Sequence, residues 1–222
     1  PSVPLNRYFE KNKIELSVQG EEIWKISSNK GLEINKKLEN VGTRLEEWDT
    51  IEFYAGIKTA FNPAYHIPEE IKNDLILRDS KNKEIIVPLL RGKDIKRWLY
   101  HYKNWYMINT HNGIRSNGIL PVNVKNDYPI IYEYLKKWET DLKKRKDKGE
   151  HWTNLRNCAF LEEFEKPKIV WIEISDKANY TYDNKGYYLT NSAYFLSGKN
   201  LKYLLAVLNS SVADYYFFQI TA

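Results

Sequence analysis

The residues of this chain with types and spacing suited to chemistry are cations on turns and loops. Arg91-Gly92-Lys93 sets two cations around a flexible residue at the end of an apolar run. Glycine there would let the backbone approach a phosphate closely. Arg97, Asn112, Arg115, Asn117 and Arg156 add groups suited to base edges. An arginine fork pairs with guanine O6 and N7, and a side-chain amide does the same for adenine. Lys58, Lys93, Lys96, Lys144 and Arg145 complete the set expected to meet a polyanion, while Arg91 and Arg97 have an alternative use in pairing with Asp94 or nearby carboxylates.

The net charge of +5 is a weak pointer, and its distribution says more. Residues 91–103 hold five basic side chains against one acidic, and residues 136–148 hold seven against three. Each segment is thus net +4, which leaves the rest of the chain at −3. A polyanion-binding surface needs such concentration. A solvated helix face accounts for the second cluster equally well.

Catalytic constellations are missing. His66, His101, His111 and His151 lack metal-ligand spacing, and no serine sits in a nucleophile elbow. Glu70-Ile71-Lys72 matches only the end of a nuclease Glu-x-Lys pattern. Glu173 and Asp176 follow an apolar run but have no partner base nearby in sequence, and Cys158 reads as a packed thiol. A single cysteine excludes an internal disulfide and a cysteine-based zinc site. The expectation is a surface that binds, with no catalytic site and no metal.

The elements that must position these cations follow from periodicity. Leu38, Val41, Leu45 and Trp48 predict a helix over residues 30–48, weakened at Gly42. Strands are expected at 51–57, 84–90, 105–109 and 168–174, the third followed by a polar loop at 111–118 and the last buried and central. Pro88 should make its strand an edge or end it early. A short helix is expected at 69–77 behind Pro68, and a longer one from Pro129 to about residue 147, capped by Asp127, with its lysines facing solvent. Residues 187–189 and 193–196 suggest a closing hairpin or paired short strands, and 200–218 a broadly apolar helix.

A 222-residue chain that is 42% hydrophobic can bury a real core. Its 7 Trp and 17 Tyr argue against disorder and suit interfaces as well as interiors. No run suggests a membrane span or a signal peptide, so a reducing cytoplasmic setting is expected. The chain opens on Pro1 and ends after an apolar run, as a piece of a longer protein would.

Asn62-Pro63-Ala64-Tyr65 has the outline of the Asn-Pro-Pro-Tyr motif by which adenine methyltransferases hold a flipped base, with alanine in place of the second proline and no glycine-rich cofactor loop before it. A better resemblance contains it. Gly56-Ile57-Lys58-Thr59-Ala60-Phe61-Asn62-Pro63-Ala64-Tyr65 is similar to the Gly-Ile-x-Thr-Gly-x-Asn-x-Ala-Phe segment of the TaqI-like target-recognition domains of DNA adenine methyltransferases and restriction-modification enzymes. Leu90-Arg91-Gly92-Lys93-Asp94-Ile95, followed by Trp98, matches their Leu-Arg-Gly-x-Asp-Ile segment. Gly149-Glu150-His151-Trp152-Thr153-Asn154-Leu155-Arg156 resembles their Gly-x-x-Trp-x-x-Leu-Arg stretch. Pro167-Lys168-Ile169 and Leu204-Leu205-Ala206-Val207-Leu208-Asn209-Ser210 look like their Pro-Lys-Ile strand and Leu-Leu-x-x-Leu-Asn-Ser helix. Ala60 stands where that family often has glycine.

The resemblance implies a mixed α/β fold with a curved mixed sheet, flanking helices and helical segments at both ends. It divides the chain into a connector at 1–50, a recognition domain at 51–198 and a C-terminal helix at 199–222. It also implies sequence-specific binding of double-stranded DNA beside a methyltransferase domain of the same parent chain. S-adenosylmethionine, and Mg2+ if a nuclease is present, would serve that parent and not this segment. The alternatives are a half-specificity module of a type I system and a small independent nuclease.

Overall fold

The computed structural model describes residues 4–13, 29–175 and 177–221, so Asp176 lies outside the described residues. Two helices come first, α1 (Leu5–Asn12) and α2 (Asn29–Val41). α2 stops just before Gly42, short of the expected end at Trp48, and Leu45–Glu47 forms a separate 3-10 turn. Glycine's low helix propensity accounts for the stop. β1 (Ile51–Ala55), α3 (Asn62–Tyr65), β2 (His66–Pro68) and α4 (Glu69–Arg78) follow, then β3 (Ile86–Leu90) and β4 (Trp105–Ile108). Three short helices, α5 (Val124–Asp127), α6 (Pro129–Lys136) and α7 (Glu139–Lys144), lead to β5 (Lys168–Ile172) and β6 (Tyr180–Asp183). β7 (Tyr188–Leu189), β8 (Ala193–Gly198), α8 (Leu201–Leu208) and α9 (Ser211–Thr221) complete the fold.

The mixed α/β class is as expected, but the strands divide into two four-stranded sheets, ordered β1-β8-β5-β6 and β2-β4-β3-β7. The first sheet is antiparallel throughout; the second contains one parallel pair, β3 with β7. A backbone seam joins them. Gly56 N–H donates to Ala193 O and Ile57 N–H to Leu189 O, both at 2.8 Å, so the chain leaving β1 passes from β8 to β7. A Cβ on residue 56 would lie 2.0 Å from Thr190 O, so only glycine fits this crossing.

That seam explains two departures from the sequence expectation. β7 and β8 are not a hairpin: they belong to different sheets, and residues 190–192 carry the chain between them. β3 is not an edge strand. It pairs with β4 through Pro88 and with β7 from Leu89 onward, so proline sits where the partner changes and no β7 pairing is asked of it. β5 takes the interior position expected of its apolar run.

The other two long helices expected from periodicity are also broken, one at Trp138 and one at Asn209. The Pro129 helix starts as expected, but Trp138 interrupts it before α7. Asp127 is not its cap; it ends α5, where the Asn123 side chain accepts the capping bond from Asn126 N–H at 3.3 Å. The C-terminal helix breaks at Asn209. That buried amide accepts from Tyr180 N–H (3.2 Å) and donates to Tyr180 O (2.8 Å), standing in for a further strand beside β6.

The larger apolar core fills the space around the second sheet, α4 and α6, with Ile67, Leu90, Met107, Ile131 and Phe164 fully enclosed. A smaller one, Ile51, Ile169, Leu196, Leu201 and Leu204, lies between the first sheet and α8. Each such side chain contributes roughly 1.5–3 kcal/mol by leaving water. Across β5 and β6 sits an enclosed ion pair. Lys168 Nζ lies 2.6 Å from Asp183 Oδ2, and both side chains are 0% exposed. Asp183 also accepts from Lys185 N–H (2.9 Å) and Tyr187 N–H (3.0 Å). Burial pulls the Lys168 pKa down against the opposing pull of Asp183. The lysine of the Pro-Lys-Ile stretch therefore fixes strand register.

Candidate nucleic-acid interface

Beyond the seam, the loop after β1 turns sharply. Thr59 is buried, its hydroxyl donating to Asn62 Oδ1 (2.6 Å) and accepting from Phe61 N–H (3.2 Å). Ala60 takes the left-handed conformation, φ 59°. An alanine holds this with strain that glycine would not feel. The turn leaves Lys58 exposed at its rim.

Arg145 lies beneath that turn. It is only 8% exposed and donates to Thr59 O (2.8 Å), Leu142 O (3.1 Å), Tyr65 OH (3.0 Å), Trp152 O (2.6 Å) and Asn154 O (2.9 Å). The expectation that Arg145 meets a polyanion fails here. Its fork ties the loop after β1 to α7 and to the 152–154 stretch, where four carbonyls and a hydroxyl need a planar donor set. The neighbouring Lys144 is exposed.

Two hollows open around this brace. The smaller, about 450 Å³, is lined by Lys58, Ala60, Asn62, Arg156 and Asn191. The larger, about 680 Å³, is lined by Asn112, Arg115, Lys148, Glu150, Asn157 and Cys158. Consecutive residues line one each, Arg156 the smaller and Asn157 the larger. Arg156 pairs with Asp147 (3.2 Å) and Arg115 with Glu150 (2.7 Å), all at exposed positions where such pairs add little stability. Either cation can exchange its carboxylate for a phosphate. Asn117 is turned away, donating to Glu162 Oε2 at 3.0 Å. Asn112 Nδ2 donates to Leu155 O (2.5 Å), while its buried Oδ1 has no hydrogen-bond partner among the described residues. That amide packs on Gly149, where a Cβ would come within 1.4 Å of Oδ1.

The turn after β3 uses its cations differently. Arg91 grips Asp94 through Nε–Oδ2 (2.7 Å) and Nη2–Oδ1 (3.3 Å), and its guanidinium lies 4.8 Å from the Trp105 ring centroid. Arg97 donates to Asn209 O and pairs with Asp214 at 3.6 Å. Arg91 pairs with Asp94, as the alternative reading had it, whereas Arg97 is held by groups far along the chain that the reading did not name. Lys93 and Lys96 stay exposed with no ion pair among the described residues. Gly92 rests on Ser192, and its N–H donates to Thr190 Oγ1 (3.3 Å), so this turn and Asn191 of the smaller hollow share one support.

Sequence reading missed Asn157 and Asn191. The available signal for Asn191 was Thr190-Asn191-Ser192, a polar triplet between two apolar runs. Burial pushes the Cys158 thiol pKa up, which keeps it protonated. His111 is drawn down by burial, and its Nδ1 accepts from Gly113 N–H at 3.0 Å. Among the described residues, no group of three or more His, Cys, Asp or Glu could hold a metal ion. No described helix is long and apolar enough to cross a membrane.

A family model described as the TaqI-like C-terminal specificity domain matches residues 87–222. No curated protein matches the sequence. Among solved structures, the chain is similar to the type IIL restriction-modification enzyme MmeI in complex with DNA, with a TM-score of 0.53 and 10% identity. The match covers 73% of this chain and 21% of that one, so the chain spans about a fifth of the enzyme's length. At this identity the likeness is one of fold.

Proposed function

Because this chain belongs to the TaqI-like C-terminal specificity domain family, we propose that it recognises a specific sequence of double-stranded DNA for a restriction-modification adenine-N6 methyltransferase. The observation that carries the reading is the pair of hollows lined in part by consecutive residues, where amides and cations gather on loops supported by a buried arginine. Lys58, Lys144, Arg115 and Arg156 supply the phosphate contacts that position a duplex, with Lys93 and Lys96 adding charge on the turn after β3. Asn157 and Asn191, both exposed, supply amides that can read adenine edges, while the tethered Asn112 amide shapes the larger hollow. Methyl transfer would belong to a separate domain of the parent, with S-adenosylmethionine as its cofactor, and any cleavage to a nuclease using Mg2+. A cytoplasmic setting suits such a system.

Selection of bound duplexes from a random pool tests the reading. The expected result is enrichment of one short motif. Affinity for it should fall about 10³- to 10⁵-fold between roughly 50 and 200 mM salt if six to ten phosphates are contacted. A pool that stays random, with a flat salt response, would overturn the proposal.

A further inference from the structure

The tip beyond the Arg91 turn holds a residue that folding does not explain. Ile95 and Tyr100 form an antiparallel bridge and Lys96 N–H donates to Leu99 O (2.9 Å), which leaves Arg97 and Trp98 at the centre of a tight reversal. Trp98 adopts φ 72°, a left-handed conformation that is an outlier for so bulky a side chain. Burial does not offset that strain, because Trp98 is 52% exposed and Leu99 beside it is 47% exposed. What the tip gives the fold comes from other groups. The Trp98 backbone N–H donates to Tyr180 O (2.9 Å), and Arg97 anchors to Asn209 and Asp214. Glycine would supply the same backbone bond without strain. The indole is held outward on a firmly tied support.

Its surroundings specify what it could meet. Lys93, Lys96 and Lys103 are exposed, and the carboxylate of this segment, Asp94, is buried against Arg91. A flat aromatic plate with a positive rim suits a nucleobase flanked by phosphates, and a protein hot spot needs no such rim. We propose that Trp98 stacks on a base of bound DNA at a step that the tip opens, with Leu99 as the wedge and Lys93 and Lys96 on the adjoining phosphates. This rests on the reading that the chain binds duplex DNA.

The test uses the full chain, duplexes recovered by selection, and permanganate, which oxidises unstacked thymines. Wild-type protein should sensitise thymines at one step, and Trp98→Phe should preserve the signal. Trp98→Gly should abolish it and weaken binding about tenfold, with the slope of log affinity against log salt unchanged. Its melting temperature should be no lower than wild type, since glycine relaxes the backbone. A Trp98→Gly protein with wild-type affinity and footprint overturns the stacking role alone. A lowered melting temperature with unchanged affinity does the same, by making Trp98 a structural residue. A wild-type protein that binds no duplex overturns the DNA reading and this inference with it.

Discussion

The segments 91–103 and 136–148 carry the same net charge, yet the fold treats their arginines and lysines as different materials. In the first, Arg91 and Arg97 are drawn into the structure, and Lys93, Lys96 and Lys103 are left outside. In the second, Arg145 is buried under five acceptors, and Lys144 and Lys146 are exposed. The physical reason is shared. A planar fork with several fixed donors can satisfy carbonyls and carboxylates at once, and it is more weakly hydrated than an ammonium. Charge counting sees these segments as equivalent polyanion surfaces, but the cations left with no ion pair or hydrogen bond among the described residues include Lys93, Lys96, Lys103, Lys144 and Lys146 and no arginine. Lys136 and Lys143 pair with Glu133 and Glu139, and Lys148 donates to Lys143 O.

The sharpest way to break this comparison is at Arg145. Arg145→Lys keeps the charge but cannot reach Thr59, Leu142, Trp152 and Asn154 together. It should cost about 3–5 kcal/mol in denaturant unfolding, since an unmatched buried cation and its orphaned acceptors are both unfavourable. A loss below about 1 kcal/mol would mean that the brace is incidental.

Acid offers the next largest effect. His66 follows Tyr65, which receives the Arg145 fork, and burial draws the His66 pKa from 6.5 to about 4. Between these values the unfolded chain binds the extra proton, so stability declines as pH falls below about 6.5 and the loss is complete near 4. The full loss is at most about 3 kcal/mol. Melting temperature against pH should show the decline, and His66→Gln should flatten it; an equal slope in the variant would remove His66 as the cause.

Ala60→Gly should move stability the other way, by about 1 kcal/mol, because it relieves the left-handed turn at the rim of the smaller hollow. The smallest effect on the fold should come from the lysines. Lys93→Gln and Lys96→Gln should each change unfolding free energy by less than about 0.5 kcal/mol while reducing the salt slope of DNA binding by about one. If either lysine variant melts like Arg145→Lys, the division between the two cations is wrong.

Much of the scaffold was legible from the sequence because it depends on local pattern. The apolar runs gave β1, β3, β4 and β5, and Pro129 marked the start of α6. What stayed hidden depends on partners far away in the chain. Asn209 ends α8 because its amide is needed by Tyr180, 29 residues earlier. Arg97 meets a carbonyl 112 residues away, and Arg145 meets Thr59 across 86. No periodicity records such distances. The family-like glycines were the exception: at Gly56 a close approach left its mark in the residue type itself.

Gly149 and Asn112 constrain anyone who would re-engineer the larger hollow. With the Asn112 amide tethered to Leu155 O, even a methyl group at position 149 would evict it. The two loops are therefore keyed like lock wards. A graft that replaces one must carry the matching residue of the other, and a library that randomises position 112 while leaving position 149 as glycine samples far more foldable sequences than the reverse.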